Sequence, residues 1–256
     1  MNGHSDWLRP GWNAAGIGAL MTTRHGGFSA APFDSMNLHE GGGDAVEAVA
    51  RNRVLLAAAI GATPVFLTQV HGARVVHLIA SDAAPGAPIH AADASLTTEA
   101  SLACTVQVAD CLPVLFAAPG GRAVAAAHAG WRGLAAGVLE ATVAALCEAA
   151  TCVPGELQAW MGASIGPSRF QVGADVLEAF GRDPRAAAAP LFTPEQPGKW
   201  LADLPLLARE RLLAAGVTAI GGGGWCTVSE ASRFFSFRRD RITGRMAAAV
   251  WIERPR

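Results

Sequence analysis

Between Leu102 and His128 the chain passes through three short, mostly apolar runs, Leu102–Val108, Leu112–Ala117 and 122–128. Ala109-Asp110-Cys111 alone separates the first two, and the turn Pro119-Gly120-Gly121 precedes the third. Runs of roughly four to eight apolar and β-branched residues bounded by turn formers read as strands, so this stretch has to be built into a sheet. Cys111 and His128 then stand on neighbouring β elements.

The flanking sequence mixes both periodicities. An apolar segment, 14–23, reads as a strand leading into the loop Arg24-His25-Gly26-Gly27. Asp44, with Glu47 three residues later, resembles a capping box opening a helix over 45–60 that ends at Gly61. Segments 65–70 and 74–79 are β-rich and separated by His71-Gly72, which puts His71 at a turn, and a further strand is predicted at Ala94–Thr97. After Gly130-Trp131-Arg132-Gly133, the spacing of Leu134, Val138, Leu139, Val143 and Leu146 is helical.

Segment 157–163 reads as a strand, and 175–180 and 205–215 as helices, the second capped by Asp203. Segments 233–237 and 245–251 can pair as a hairpin. Strands outnumber helices without strict alternation, which predicts an α+β fold, a single domain over 1–256 with mixed β-sheets flanked by helices and a polar N-terminal segment, 1–13. The only linker-like stretch, 181–198, is rich in proline and alanine.

Several function classes are disfavoured. Arg122, His128, Arg132 and Glu140 interrupt the most hydrophobic region, so no run reaches the ~20 apolar residues of a membrane span. The first residues carry His4, Asp6 and Arg9 and no apolar core, unlike a signal peptide, which leads us to expect a cytoplasmic protein. A net charge of −1 and a single lysine leave no basic stripe for a nucleic-acid backbone. Five irregularly spaced cysteines argue against a disulfide framework and leave thiols for metal binding or nucleophilic chemistry.

His71, Cys111 and His128 supply two imidazoles and a thiolate, a sufficient set for a catalytic zinc with one open position. Taken singly, each also reads as a buried core cysteine or a hydrogen-bonded turn histidine. The same residues can serve without metal, with Cys111 as nucleophile, His128 as base and Asp110 or another acid orienting it. Arg24 and Arg132 lie in glycine-containing loops after strands, where a guanidinium can meet phosphate or carboxylate, and Gly130 to Gly133 at a helix start adds free N–H groups. His25 and Asn37 could reach a substrate, whereas His39, His77 and His90 have no supporting context. Gly221 to Gly224 lacks a Walker lysine and reads as a flexible turn.

Together, Thr23-Arg24-His25-Gly26-Gly27, Gln69-Val70-His71-Gly72, Ala109-Asp110-Cys111-Leu112-Pro113 and His128-Ala129-Gly130-Trp131-Arg132-Gly133 resemble the YfiH, or laccase-domain, family. Ala163-Ser164-Ile165-Gly166-Pro167, Lys199-Trp200 with Asp203-Leu204, and Phe234 to Asp240 through Thr243-Gly244-Arg245 continue the resemblance in order. Phe237 stands where a tyrosine is common. The resemblance implies zinc on His71, Cys111 and His128, and phosphorolysis of adenosine, inosine and methylthioadenosine together with deamination of adenosine. Nucleoside and phosphate are then the expected partners, and Arg24, His25 and Arg132 the expected substrate or phosphate ligands.

Zinc with an open position lowers the pKa of water towards neutrality, as deamination at purine C6 requires. The usual zinc-deaminase signature, His-x-Glu with Pro-Cys-x-x-Cys, is absent. Older family labels imply a copper-dependent polyphenol oxidase or a peptidoglycan-editing factor. Copper can occupy the same donors, although seven scattered histidines are a poor match to a laccase. The main alternative is a cysteine or metal hydrolase acting on peptidoglycan precursors.

Overall fold

The computed structural model describes residues 4–186 and 190–253, so positions 1–3 of the polar N-terminal segment and 187–189 of the linker-like stretch lie outside the described residues. In chain order the first elements are β1 (Ile17–Met21), α1 (Val46–Ile60), β2 (Thr63–Val65), β3 (Val75–His77), β4 (Ala94–Thr97), β5 (Leu102–Val108) and β6 (Leu112–Ala117). Then come β7 (Val124–Ala129), α2 (Trp131–Ala135), α3 (Val138–Ala150), β8 (Gln158–Met161), β9 (Gln171–Val172) and α4 (Ala174–Ala179). The chain closes with β10 (Phe192–Gln196), β11 (Lys199–Ala202), α5 (Leu204–Ala214), β12 (Ala219–Gly222), α6 (Phe237–Asp240) and β13 (Met246–Ile252).

Two mixed sheets form the body, ordered β1-β13-β5-β2 and β12-β8-β6-β7-β4-β3. Alternation along each strand sends one set of side chains between the sheets and the other towards the helices. Cys104, Val106 and Val108 of β5 and Ala248 and Val250 of β13 meet Leu115, Val124 and Ala126 of the larger sheet. On that sheet's other face Val114, Phe116, Ala125 and Ala127 pack beneath helices α3 and α5. Leu56 and Ile60 of α1 cover the smaller sheet's outer face with Leu20, Ala103 and Ala247. The result is the expected α+β domain, four layers deep, with Ala126 of β7 facing the smaller sheet and Ala125, Ala127 and Ala129 facing the helices.

Several local expectations change. Asp44 does not cap α1: its carboxylate accepts from the Ala45 N–H and from Asn37, and no side chain caps the helix start. Of the segment predicted as a strand, 65–70, only Val65 belongs to a strand, as the last residue of β2, and further along the Gln69 amide takes the strand's place beside β5. It donates to the Gln107 carbonyl at 2.8 Å and accepts the Gln107 N–H at 2.7 Å.

The helical run after β7 is broken into α2 and α3 at Gly137, where φ is 90°. Segment 181–198 is not a linker in its described part, since β10 and β11 form a hairpin within a three-stranded sheet, β10-β11-β9. Gly221 and Gly222 belong to β12, parallel to β8. The proposed terminal hairpin does not form: Ser236 caps α6 by accepting the Arg239 N–H, and β13 pairs with β1 and β5.

Candidate metal centre

Antiparallel pairing of β6 with β7 sets Leu112 opposite Ala129 and Pro113 opposite His128. Cys111 therefore immediately precedes β6, alongside the end of β7, at one end of the layer between the two sheets. The loop after β2 brings in His71, and the donor atoms of His71, Cys111 and His128 all lie within 4.8 Å of one another. His71 Nε2 is 3.9 Å from Cys111 Sγ, and the two imidazoles meet edge to face with ring centroids 4.9 Å apart. Among the described residues this is the one group of three such donors found.

The approach depends on Gly130. A Cβ there would lie 2.9 Å from Cys111 Sγ and 3.1 Å from the His71 ring, so any larger residue would push the donors apart. At Gly133 a Cβ would meet the Gly72 carbonyl at 2.8 Å, which would lift the His71 loop from α2.

Asp93 holds the arrangement from behind. It is fully buried just before β4, whose first residue Ala94 pairs with Ala127. One carboxylate oxygen accepts from His128 Nδ1 at 2.8 Å and from the His71 N–H at 2.9 Å. The other accepts from the Gly72 N–H at 2.7 Å and the Val70 N–H at 3.1 Å. This carboxylate therefore fixes the His128 ring, leaving Nε2 as the free nitrogen, and locks the turn that carries His71 at φ 60°. Such a carboxylate–histidine pair is the usual support of a metal ligand. Burial opposes the charged form of Asp93, but the hydrogen bonds from His128 and the backbone hold its pKa below the ordinary carboxylate value.

Asp110, expected to orient His128, faces elsewhere. It adopts φ 96°, and its carboxylate accepts from Thr227 Oγ1 and from the Arg238 N–H, both at 2.6 Å. Non-glycine residues in the left-handed region are uncommon and collect where a site demands them. Here two of them, His71 and Asp110, are a ligand candidate and the neighbour of another.

The electrostatics favour a thiolate. Burial alone would push the Cys111 thiol up, but the His128 charge and hydrogen bonds from His128 and His71 outweigh it and bring it down to about 6. For His128 burial opposes the proton, while the Cys111 charge and the Asp93 hydrogen bond raise it to about 9. A thiolate, an imidazole fixed by a carboxylate and a second imidazole form a donor set suited to zinc.

The three residues line a cleft of about 630 Å³, whose wall also includes His39, Phe66, Gln107, Phe237 and Arg245. That volume suits a small organic ligand. His39, set aside in the sequence reading, accordingly reaches this wall.

Arg24, His25 and Arg132 are not brought to it. The Arg24 guanidinium donates to the carbonyls of Asp34 and Ala231 and pairs with the Asp34 carboxylate at 3.2 Å. His25 pairs with Asp6 at 2.9 Å, and exposed Arg132 lies 4.3 Å over the Trp131 ring. Asn37 is buried and accepts the Arg245 N–H, a brace instead of a substrate contact. Asp93 escaped the sequence reading because it sits in an alanine-rich stretch, and its role arises only from the pairing of β4 with β7.

The family model described as multi-copper polyphenol oxidoreductase laccase matches residues 18–253. A Pseudomonas aeruginosa protein named purine nucleoside phosphorylase is 48% identical over 96% of this chain and 98% of its own. The Escherichia coli protein named purine nucleoside phosphorylase YfiH is 45% identical over 97% of this chain and 99% of its own. A crystal structure of a Neisseria meningitidis protein superposes with a TM-score of 0.89 at 45% identity, covering 98% of this chain and 100% of the other.

Proposed function

The chain belongs to the laccase-domain, or YfiH, family, and on that premise we propose that it is a purine nucleoside phosphorylase with zinc held by His71, Cys111 and His128. The observation that carries the reading is the convergence of those donors within 4.8 Å on the wall of a nucleoside-sized cleft, alongside relatives named for this activity. In the reaction an oxygen of hydrogen phosphate bonds to ribose C1′ as the bond from C1′ to the base nitrogen breaks. The base leaves with the electron pair and takes up the proton that hydrogen phosphate gives up.

The chain's own residues supply position and environment. Asp93 directs His128 Nε2 away from the backbone, and Phe66, Phe237 and Ile89 offer an apolar wall to a purine ring. A bound zinc would supply Lewis acidity towards a ligand oxygen in its open position. The same metal would support adenosine deamination, in which a water oxygen bonds to purine C6 and ammonia leaves with the C–N electron pair. Adenosine, inosine and methylthioadenosine are the proposed phosphorolysis substrates, with phosphate as the second one.

The test is release of free base from each nucleoside with and without phosphate, with ammonia release from adenosine followed separately. Phosphate-dependent base release is expected from all three, and none at any phosphate concentration would refute the reading. The lowered Cys111 thiol beside His128 favours a second reading, a cysteine hydrolase using the same pair without metal. Activity that survives exhaustive chelation would select it.

A further inference from the structure

Phosphorolysis requires a cation for the attacking phosphate, and none of the arginines expected to provide one reaches the cleft. Two others do, Arg53 and Arg245. Arg53 is already engaged: Nη1 pairs with Glu40 at 2.6 Å, Nε donates to the Leu38 carbonyl at 3.0 Å, and the guanidinium lies 4.1 Å over the Phe66 ring.

Arg245 is held differently. Its N–H donates to Asn37 Oδ1 at 2.9 Å, and Nη1 donates to the carbonyls of Thr243 and Gly244, both at 3.1 Å. Among the described residues Nε and Nη2 have no protein acceptor, and no carboxylate lies within ion-pairing distance. The guanidinium is 5.6 Å from the Phe237 ring, on the cleft wall shared with Cys111 and His128 and within electrostatic range of Cys111 and Asp110. A half-buried guanidinium with its backbone pinned, one nitrogen anchored and two donors free is pre-organised for an oxyanion.

Resting on the phosphorylase reading, we infer that Arg245 binds the phosphate co-substrate in this cleft. Three consequences follow from that placement. Phosphate shares the wall that carries the metal candidates, the Asn37 brace sets the height of the guanidinium, and Phe237 restricts its swing.

Steady-state phosphorolysis of inosine and direct calorimetric titration with inorganic phosphate, on zinc-loaded wild type, Arg245→Lys and Arg245→Ala, test it. A charge-assisted bidentate contact contributes about 1.5–3 kcal/mol, so Arg245→Ala should raise the phosphate KM by roughly 10- to 100-fold at ~1.4 kcal/mol per decade. The inosine KM should move less than about threefold, and Arg245→Lys should recover part of the phosphate affinity. Normal zinc content and an unchanged melting curve would show that the variants fold.

An unchanged phosphate KM and calorimetric affinity in folded Arg245→Ala would overturn the inference while leaving the phosphorylase reading intact. A raised phosphate KM in Arg132→Ala, with Arg245→Ala normal, would do the same. Wild type that binds phosphate through Arg245 but never releases hypoxanthine would refute the phosphorylase reading alone.

Discussion

Asp93 is the residue on which the centre turns, because one carboxylate holds the His128 ring and three consecutive N–H groups of the His71 turn. Asp93→Asn keeps the volume but cannot accept all four bonds, and loss of such a supporting carboxylate typically costs ~10- to 100-fold in metal affinity. Competition with a chromophoric chelator should show that loss while the far-ultraviolet spectrum stays unchanged. The thiol and imidazole also predict a pH window for the metal-free protein. Cys111, depressed to about 6, contributes stability that is lost as pH falls through that value. His128, raised to about 9, contributes stability that is lost as pH rises through that value. The pair therefore stabilises between about 6 and 9. Thiolate absorbance should reveal a step near pH 6 in metal-free wild type that is missing from Cys111→Ser.

At the scale of elements, β5 and β6 emerge from sequence with their observed bounds, because turn residues bracket each apolar run and both faces are buried. The same reasoning overextends the strand before His71, since a side-chain amide can satisfy a neighbouring backbone as a strand would, and no periodicity reports that. It also mistakes 233–237 for a strand, because Ser236 opens a helix whose Arg238 N–H is claimed by Asp110, distant in sequence. His71, Cys111 and His128 stand out in sequence beside glycines and turns, but their placement leaves core, turn and nucleophile readings open, and only the family resemblance selects them as a metal set. Arg245 does not stand out, since only the return of β13 beside β5 carries it to the cleft. One of the two side-chain N-caps read from sequence forms: Asp203 Oδ1 accepts the Leu206 N–H at 2.9 Å at the start of α5, whereas Asp44 leaves the start of α1 uncapped. Asp203→Ala should cost about 1 kcal/mol, lowering the melting temperature by roughly 2–4 °C for a domain of this size, with phosphorolysis unaffected.

Across the whole molecule, the donors sit at one end of the layer between the two facing sheets, where β6, β7 and the loop after β2 bring them to an open cleft. Among the described residues no helix is long and apolar enough to cross a membrane. The candidate ligands, drawn from the residue before β6, from β7 and from the loop after β2, are far apart in sequence, so a metal held by them would be tied to the folded state. Saturating zinc should accordingly raise the melting temperature, by mass action on the native state alone. The most direct measurement is the zinc and copper content of protein purified without added metal, taken together with phosphate-dependent hypoxanthine release from inosine, in wild type and Cys111→Ala. The account predicts one zinc per chain and active phosphorolysis in wild type, both lost in the variant. Phosphorolysis that persists in the metal-free Cys111→Ala protein would contradict it.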